Sequence, residues 1–176
     1  MKNKKLSHFR PKFFIVDVDG VFTDGKFYYT SKGKVMKKYG PDDSDAITFL
    51  KGKLKIHTLS GDKRGFKITK RRMDDMKLPC DLVSTFERIE WIKEKFDPKK
   101  TIFMGDGIFD GLVFKQVGYS IAPANAFFKT KELADYVTQA RGSEGAVAEA
   151  VLHILEKFFA ESFDLDKIDF SKGRQI

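Results

Sequence analysis

The sequence predicts an α/β fold: a doubly wound parallel sheet with helices on both faces and a β-hairpin flap after the first strand. Three observations carry this. Short apolar, β-branched runs alternate with segments of helical periodicity, the pattern that right-handed crossovers turn into a parallel sheet. The first run, Phe13 to Val16, is apolar throughout, as befits a strand buried on both faces, and ends abruptly in Asp17-Val18-Asp19-Gly20. The length, 176 residues, suits one domain over 1–176, and a 41% hydrophobic content can bury a core.

The predicted strands are 13–17, 55–60, 82–84, 101–105 and 119–122, with a short one at 136–138. Helical patterns lie between them. The first, at 44–50, is short. Residues 63–76 carry Phe66, Ile68, Met73 and Met76, and 86–96 carry Ile89, Ile92 and Phe96. Segment 109–117 has Leu112 and Val113 on one side, and 144–159 carries Val147, Val151, Ile154, Leu155 and Phe158. Residues 26–39 break the rhythm with two strand-like runs around Ser31-Lys32-Gly33, a β-hairpin directly after the Asp pair and so expected to overhang it. The tail at 160–176 has weak periodicity and reads as a frayed terminus.

Charge and cysteine use bound the partners. The net charge is +8, but the basic residues are spread along the chain and alternate with Asp and Glu. The densest group, from Lys63 to Arg72, lies on a predicted helix and reads as a solvated face, with no aromatic-and-basic groove to suggest nucleic acid. A positive field would also draw a small anionic substrate. No run of 18 apolar residues predicts a membrane span, and the basic N-terminal segment lacks the apolar stretch of a secretory signal. The single cysteine, Cys80, fits a reducing cytoplasm.

Four strand ends or helix starts carry chemistry. Asp17 and Asp19 are two residues apart on an extended segment and start out side by side at the carboxyl end of a strand, where open α/β sheets bind ligands. Two carboxylates this close call for a cation between them or a proton on one. Ser60-Gly61 follows the second sheet strand and can hold a phosphate with a hydroxyl and backbone N–H groups, although Ser-Gly is also a common turn. Asp106 follows the 101–105 strand as a candidate metal ligand, with Asp110 one helical turn further on; either alone could be an N-cap. Arg88 opens the preceding helix and, taken singly, reads as a surface residue. Together these parts suit phosphoryl transfer through a phosphoaspartate with Mg²⁺.

The motifs resemble those of the haloacid dehalogenase superfamily of phosphatases: D-x-D-G-V-x-T-D-G at 17–25, Ser60, and Gly105-Asp106 with Asp110. The form of the first motif, with a hairpin straight after it, resembles the 3-deoxy-manno-octulosonate 8-phosphate phosphatase branch, as do 117–126, 134–138, 142–147 and the ending Lys172 to Ile176. The resemblance implies a Mg²⁺-dependent phosphatase of a small sugar acid phosphate, an eight-carbon or related nine-carbon keto-sugar acid. It implies Asp17 as nucleophile and Asp19 as general acid and base. Mg²⁺ would be held by the Asp17 carboxylate, the Asp19 main-chain carbonyl and Asp106. Ser60, Gly61 and Arg88 would bind phosphate, with Asp110 supporting. The spacing leaves no room for a cap domain, so the resemblance also implies a homotetramer whose neighbours cover the site, with Phe27, Tyr28 and Tyr29 at the interface and the tail reaching a neighbouring site.

Departures from that branch are Arg88 where lysine is usual, Asp43-Ser44-Asp45-Ala46-Ile47 in place of D-G-x-G-I, Ala148 at a frequent arginine, and Gly107 at a frequent aspartate. They leave open a catalytically weakened binding or regulatory protein; the shared set of Asp, Mg²⁺, hydroxyl and cation leaves open a receiver-like signalling domain, and the basic charge a polynucleotide phosphatase. A receiver domain needs no general acid two residues after its phosphorylated aspartate, which counts against it.

Overall fold

The computed structural model describes residues 9–164; the Lys172–Ile176 ending, and with it the reach of the tail, lies outside the described residues. Six parallel strands form one sheet in the order β5-β4-β1-β6-β7-β8. They are β1 (Phe13–Asp17), β4 (Lys55–Ser60), β5 (Cys80–Leu82), β6 (Thr101–Met104), β7 (Tyr119–Ala122) and β8 (Tyr136–Val137). The hairpin strands β2 (Tyr28–Thr30) and β3 (Gly33–Met36) pair antiparallel as a separate two-stranded sheet, and a bridge between Thr23 and Tyr39 closes its base. The helices are α1 (Asp42–Ile47), α2 (Phe66–Asp75), α3 (Arg88–Lys95), α4 (Asp110–Phe114), α5 (Phe128–Leu133) and α6 (Ala146–Phe159). Short 3-10 turns occupy Thr48–Leu50 and Pro98–Lys100.

The two-residue period of β1 distributes its side chains to two cores. Phe14 and Val16 join the core under α1 and α6, together with Ile102, Met104 and Ile121. Ile15 joins the opposite core with Leu59, Phe103, Ile92, Val113 and Phe114, under α3 and α4. Asp17 stands two residues after Ile15 and therefore faces the α3–α4 side at the carboxyl edge of the sheet. With β4 on one flank and β6 on the other, β1 is central, and the loops after all three strands meet above it.

Several boundaries depart from the sequence reading, two of them with a clear local cause, and one helix is additional. Strand β5 begins two residues earlier than expected, because the pairing starts at Thr58 opposite Cys80; Leu82 is exposed, and Val83, though buried, lies beyond the ladder. Helix α2 begins at Phe66 rather than Lys63, because Gly65 N–H donates to Asp62 Oδ1 at 3.1 Å and residues 62–65 form a turn. Helix α5 was not anticipated at all.

Helix α6 buries Ala146, Val147, Ala150, Val151, Ile154 and Leu155, one stripe of a 3.6-residue period. Its N-terminal residue is preceded by Gly145, which has no side chain to cap with. The cap comes instead from a remote element: Asp43 on α1 accepts from Ala148 N–H at 3.0 Å. None of the described helices is long and apolar enough to cross a membrane.

Candidate active site

The loop after β1 is built from its own backbone. The N–H groups of Val21, Phe22 and Thr23 all point to the carbonyl of Val18, and Thr23 Oγ1 accepts from Gly20 N–H at 2.9 Å. Gly20 has φ +84°, and a Cβ there would collide with the Asp106 carboxylate. Glycine at this position therefore allows the β1 and β6 loops to close on one another. Asn125 braces the same loop: its Nδ2 donates to Gly20 O at 2.8 Å, and its Oδ1 accepts from Gly142 N–H at 2.6 Å.

Asp17, Asp106 and Asp110 converge. One carboxylate oxygen from each lies within 4.8 Å of the others. Arg88 enters from the start of α3, with Nη1 2.7 Å from Asp17 Oδ2 and paired also with Asp110 Oδ1. All three side chains are almost fully buried, so the surface reading of Arg88 gives way to a site position. Asp110 also accepts from Gly107 N–H at 2.8 Å, which fixes its second oxygen. Gly61 lies against this arginine; a Cβ on it would stand 3.6 Å from Arg88 Nη2.

The Asp19 carboxylate turns the other way. Its Oδ2 accepts from Ser60 Oγ at 2.5 Å, and its Oδ1 accepts from Lys37 Nζ at 2.5 Å. Lys37 also donates to Thr69 Oγ1 at 2.7 Å and lies 2.8 Å from Asp62 Oδ2, which pairs with Lys34 at 2.5 Å. Both lysines come from the hairpin, so the flap does overhang the Asp pair and is tied to the loop after β4.

Charge follows this geometry. Burial pushes the Asp17 carboxyl well above the ordinary carboxylate range; Arg88 opposes the shift, and Asp110, Asp106 and Asp19 add to it. Burial, reinforced by Asp110, pushes Asp106 up to about 7. Burial works against the charge on Arg88, but Asp17 and Asp110 outweigh it and hold the guanidinium protonated. Asp62 behaves oppositely: its burial is overcome by the hydrogen bonds from Lys34 and Lys37, which hold it down at about 2.

The residues present fit a hard divalent cation. The donors that converge are all carboxylate oxygens, two of the three acids share one arginine, and the buried Asp17 Oδ1 has no hydrogen-bond partner among the described residues. The structure thus gathers every residue singled out from the sequence into two adjoining groups: Asp17, Arg88, Asp106 and Asp110 with Gly61, and Asp19 with Ser60. It adds Lys37, Asp62, Thr69 and Asn125. Nothing in the lysines at 32, 34, 37 and 38 marks which are buried, so Lys37 had no signal of its own.

A family model described as haloacid dehalogenase-like hydrolase matches residues 91–151. The 3-deoxy-D-manno-octulosonate 8-phosphate phosphatase of Haemophilus influenzae is 30% identical over 151 residues, 82% of this chain and 83% of that protein. The Escherichia coli K12 protein of the same name is 28% identical over 94% of this chain and 86% of its own length. Among solved structures, the cobalt-bound form of the Haemophilus influenzae phosphatase superposes with a TM-score of 0.75 at 29% identity, covering 88% of this chain and 92% of that one. The Moraxella catarrhalis phosphatase, solved in complex with magnesium, phosphate and its sugar acid, shares the fold, with a TM-score of 0.75 at 24% identity over 89% of this chain and 86% of that one. Since the relatedness runs over most of both chains and the site's parts fall at the expected strand ends, the chain belongs to the haloacid dehalogenase-like hydrolases and is one of their phosphatases.

Proposed function

We propose that this phosphatase hydrolyses the phosphate monoester of a small sugar acid, 3-deoxy-manno-octulosonate 8-phosphate or a related nine-carbon keto-sugar acid phosphate, with Mg²⁺ and through an aspartyl-phosphate on Asp17. The observation that carries the reading is the state of Asp17. One oxygen is paired with Arg88, and the other is buried and unpaired beside Asp106 and Asp110. A carboxylate so placed is oriented to attack and is short of positive charge.

The Asp17 carboxylate attacks phosphorus, and the bond from phosphorus to the sugar oxygen breaks. The Asp19 carboxyl gives that oxygen its proton. Asp19, now a carboxylate, takes a proton from water as the water attacks the phosphorus of the aspartyl-phosphate, which releases phosphate and restores Asp17. Ser60 Oγ, the Gly61 N–H and Arg88 hold the phosphoryl oxygens, and Arg88 offsets the charge that develops on them. Asp110 keeps Arg88 in place. Asp17, Asp106 and the main-chain carbonyl of Asp19 would hold the Mg²⁺, which supplies positive charge to the acidic group and to the transferring phosphoryl. That a relative of this fold was solved in a cobalt-bound form supports the use of a divalent ion.

The substrate class rests on the relatives named above, all phosphatases of one keto-sugar acid phosphate. The departures at 43–47 and Ala148 form one structural unit, since Asp43 caps α6 through Ala148. They bear on the sugar end rather than on the reacting groups. Arg88 makes both of its ion pairs, which supports turnover over a purely binding role. A homotetramer and a cytoplasmic location complete the reading. The first is supported by the hairpin's outward Phe27, Tyr29, Val35 and Met36, of which Phe27 is 63% exposed; the second is supported by the buried free thiol of Cys80.

A panel of esters with Mg²⁺ tests this reading: eight- and nine-carbon keto-sugar acid phosphates, simple sugar phosphates and p-nitrophenyl phosphate. The keto-sugar acid phosphates are expected to lead in kcat/KM by about tenfold or more, the scale of a few well-placed polar contacts. Absence of turnover with every ester would overturn it.

A further inference from the structure

One buried cation beside the reacting groups has no part in the mechanism above. Lys37 leaves the hairpin just after β3, and its side chain is 2% exposed. A buried ammonium is costly unless its three N–H groups are matched. Lys37 meets three oxygens: Asp19 Oδ1 at 2.5 Å, Thr69 Oγ1 at 2.7 Å and Asp62 Oδ2 at 2.8 Å. Asp62 is itself fixed by Lys34 at 2.5 Å and by Gly65 N–H at 3.1 Å. Lys34 in turn lies 3.7 Å from the centre of the Phe27 ring. A continuous chain of contacts therefore runs from the outer face of the hairpin to Asp19.

The two oxygens of Asp19 are held by different means. Oδ1 is held by an ammonium fixed on all sides. Oδ2 is held by Ser60 Oγ at 2.5 Å, a hydroxyl with a single proton to give, which itself accepts from Asp62 N–H at 3.1 Å and which a phosphoryl oxygen would claim.

We propose that Lys37 is a positioning residue for the phosphatase reaction: it fixes Oδ1 of Asp19, so that Oδ2 is the oxygen that transfers the proton, and Asp19 is competent only while the hairpin is seated. This rests on the reading of Asp19 as the general acid. The proton on Oδ2 moves to the ester oxygen as the phosphorus–oxygen bond breaks. The carboxylate left behind faces Lys37, which keeps all of its own protons. Thr69 and Asp62 orient the ammonium, and Lys34 secures Asp62, so the seating of the flap and the readiness of the acid are one arrangement.

The test compares kcat/KM for an alkyl phosphate, whose leaving oxygen needs a proton, with that for p-nitrophenyl phosphate, whose leaving group does not. This ratio reports events up to transfer of the phosphoryl group to Asp17, so the later attack of water does not enter. In the magnesium-loaded protein, K37M is expected to lose about 100-fold on the alkyl ester and less than about 5-fold on the aryl ester, the signature of a lost general acid. D19N, measured alongside, should show the same selectivity. Equal losses on the two esters, or an unchanged K37M beside a selective D19N, would overturn the role of Lys37. A D19N variant without the selectivity would sink the reading of Asp19 and this proposal with it. If K37M does not fold, K37C alkylated with bromoethylamine restores an ammonium at nearly the original length. Recovery of the alkyl-ester rate supports the proposal, and a folded, fully alkylated protein without recovery refutes it.

Discussion

The two halves of the site face the same small space and handle charge in opposite ways. On the sheet side, Asp17 and Asp110 share one cation, Arg88, with Asp106 beside them, and burial and the crowding of the acids push the Asp17 and Asp106 carboxyls up. On the hairpin side, Asp19 and Asp62 meet two cations, Lys37 and Lys34, and Asp62 is held down at about 2. The first half is short of positive charge and, in the proposed mechanism, takes the metal ion and the phosphoryl group. The second matches its two acidic side chains with two ammoniums, which fix the orientation of Asp19. In the proposed mechanism, separating the two tasks lets one pair of aspartates, two residues apart, serve as both nucleophile and acid.

The largest effect expected from breaking the sheet side is on chemistry. D17N should fall below about one thousandth of the parent turnover, since the attacking oxygen is replaced by an amide. Substantial Mg²⁺-dependent hydrolysis by D17N would assign the nucleophile elsewhere. Removing the shared cation acts on stability. In metal-free protein, R88A should lose about 3–5 kcal/mol of unfolding free energy in urea, because Asp17 and Asp110 are left buried without a counter-charge. A loss under about 1 kcal/mol would mean that the ion pairs do not organise this corner.

Metal adds a smaller increment. Mg²⁺ at a hundred times its dissociation constant should raise the unfolding free energy by about 2.7 kcal/mol, and D106N should forfeit most of that gain. The same D106N protein should be no less stable than the parent without metal, as one of three crowded carboxylates is gone. A full Mg²⁺ gain in D106N would separate that residue from the metal.

Asp43 offers the smallest and most controlled comparison, a buried acid met by backbone N–H groups instead of by a cation. Burial pushes it from 3.8 to about 6, against the hydrogen bonds from Ala148 and Val147. The folded protein therefore holds this proton more tightly than the unfolded chain. Its contribution is full below about pH 4 and is lost as pH rises through about 6. D43N should remove about 2 kcal/mol of that decline between pH 4.5 and 7.5, measured by urea unfolding at both values. An unaltered pH dependence in D43N would place the titration on another group.

The parts of this arrangement that the sequence exposes share one property: each is an abrupt change of residue type at a strand end. Asp17, Ser60 and Asp106 follow apolar runs directly, and the hairpin is bounded by its own turn residues, so sheet, flap and acidic loops were all legible. Arg88 was legible as a charge but not as a buried one, because helical register alone does not say what the first residue faces. Lys37 and Asp62 were silent, since they meet only when the hairpin folds back over the loop after β4. Asp43 as the cap of α6 was silent for the same reason: the two residues it joins are 105 positions apart. The offset of β5 has a simpler cause, as its inward-facing anchor is Cys80, a residue that carries little β-strand signal.

The central place of β1 has a consequence in time. Asp17 is made early, but its neighbours in the sheet are made late: β4 begins at Lys55 and β6 at Thr101. About 90 residues separate Asp17 from Asp106, an interval of roughly 5–20 s at ordinary rates of synthesis. Until the later strand emerges, the first has nothing to pair with on that flank, and Gly20 has no carboxylate to accommodate. The crowded aspartates therefore cannot come together until the chain has been made through Asp110.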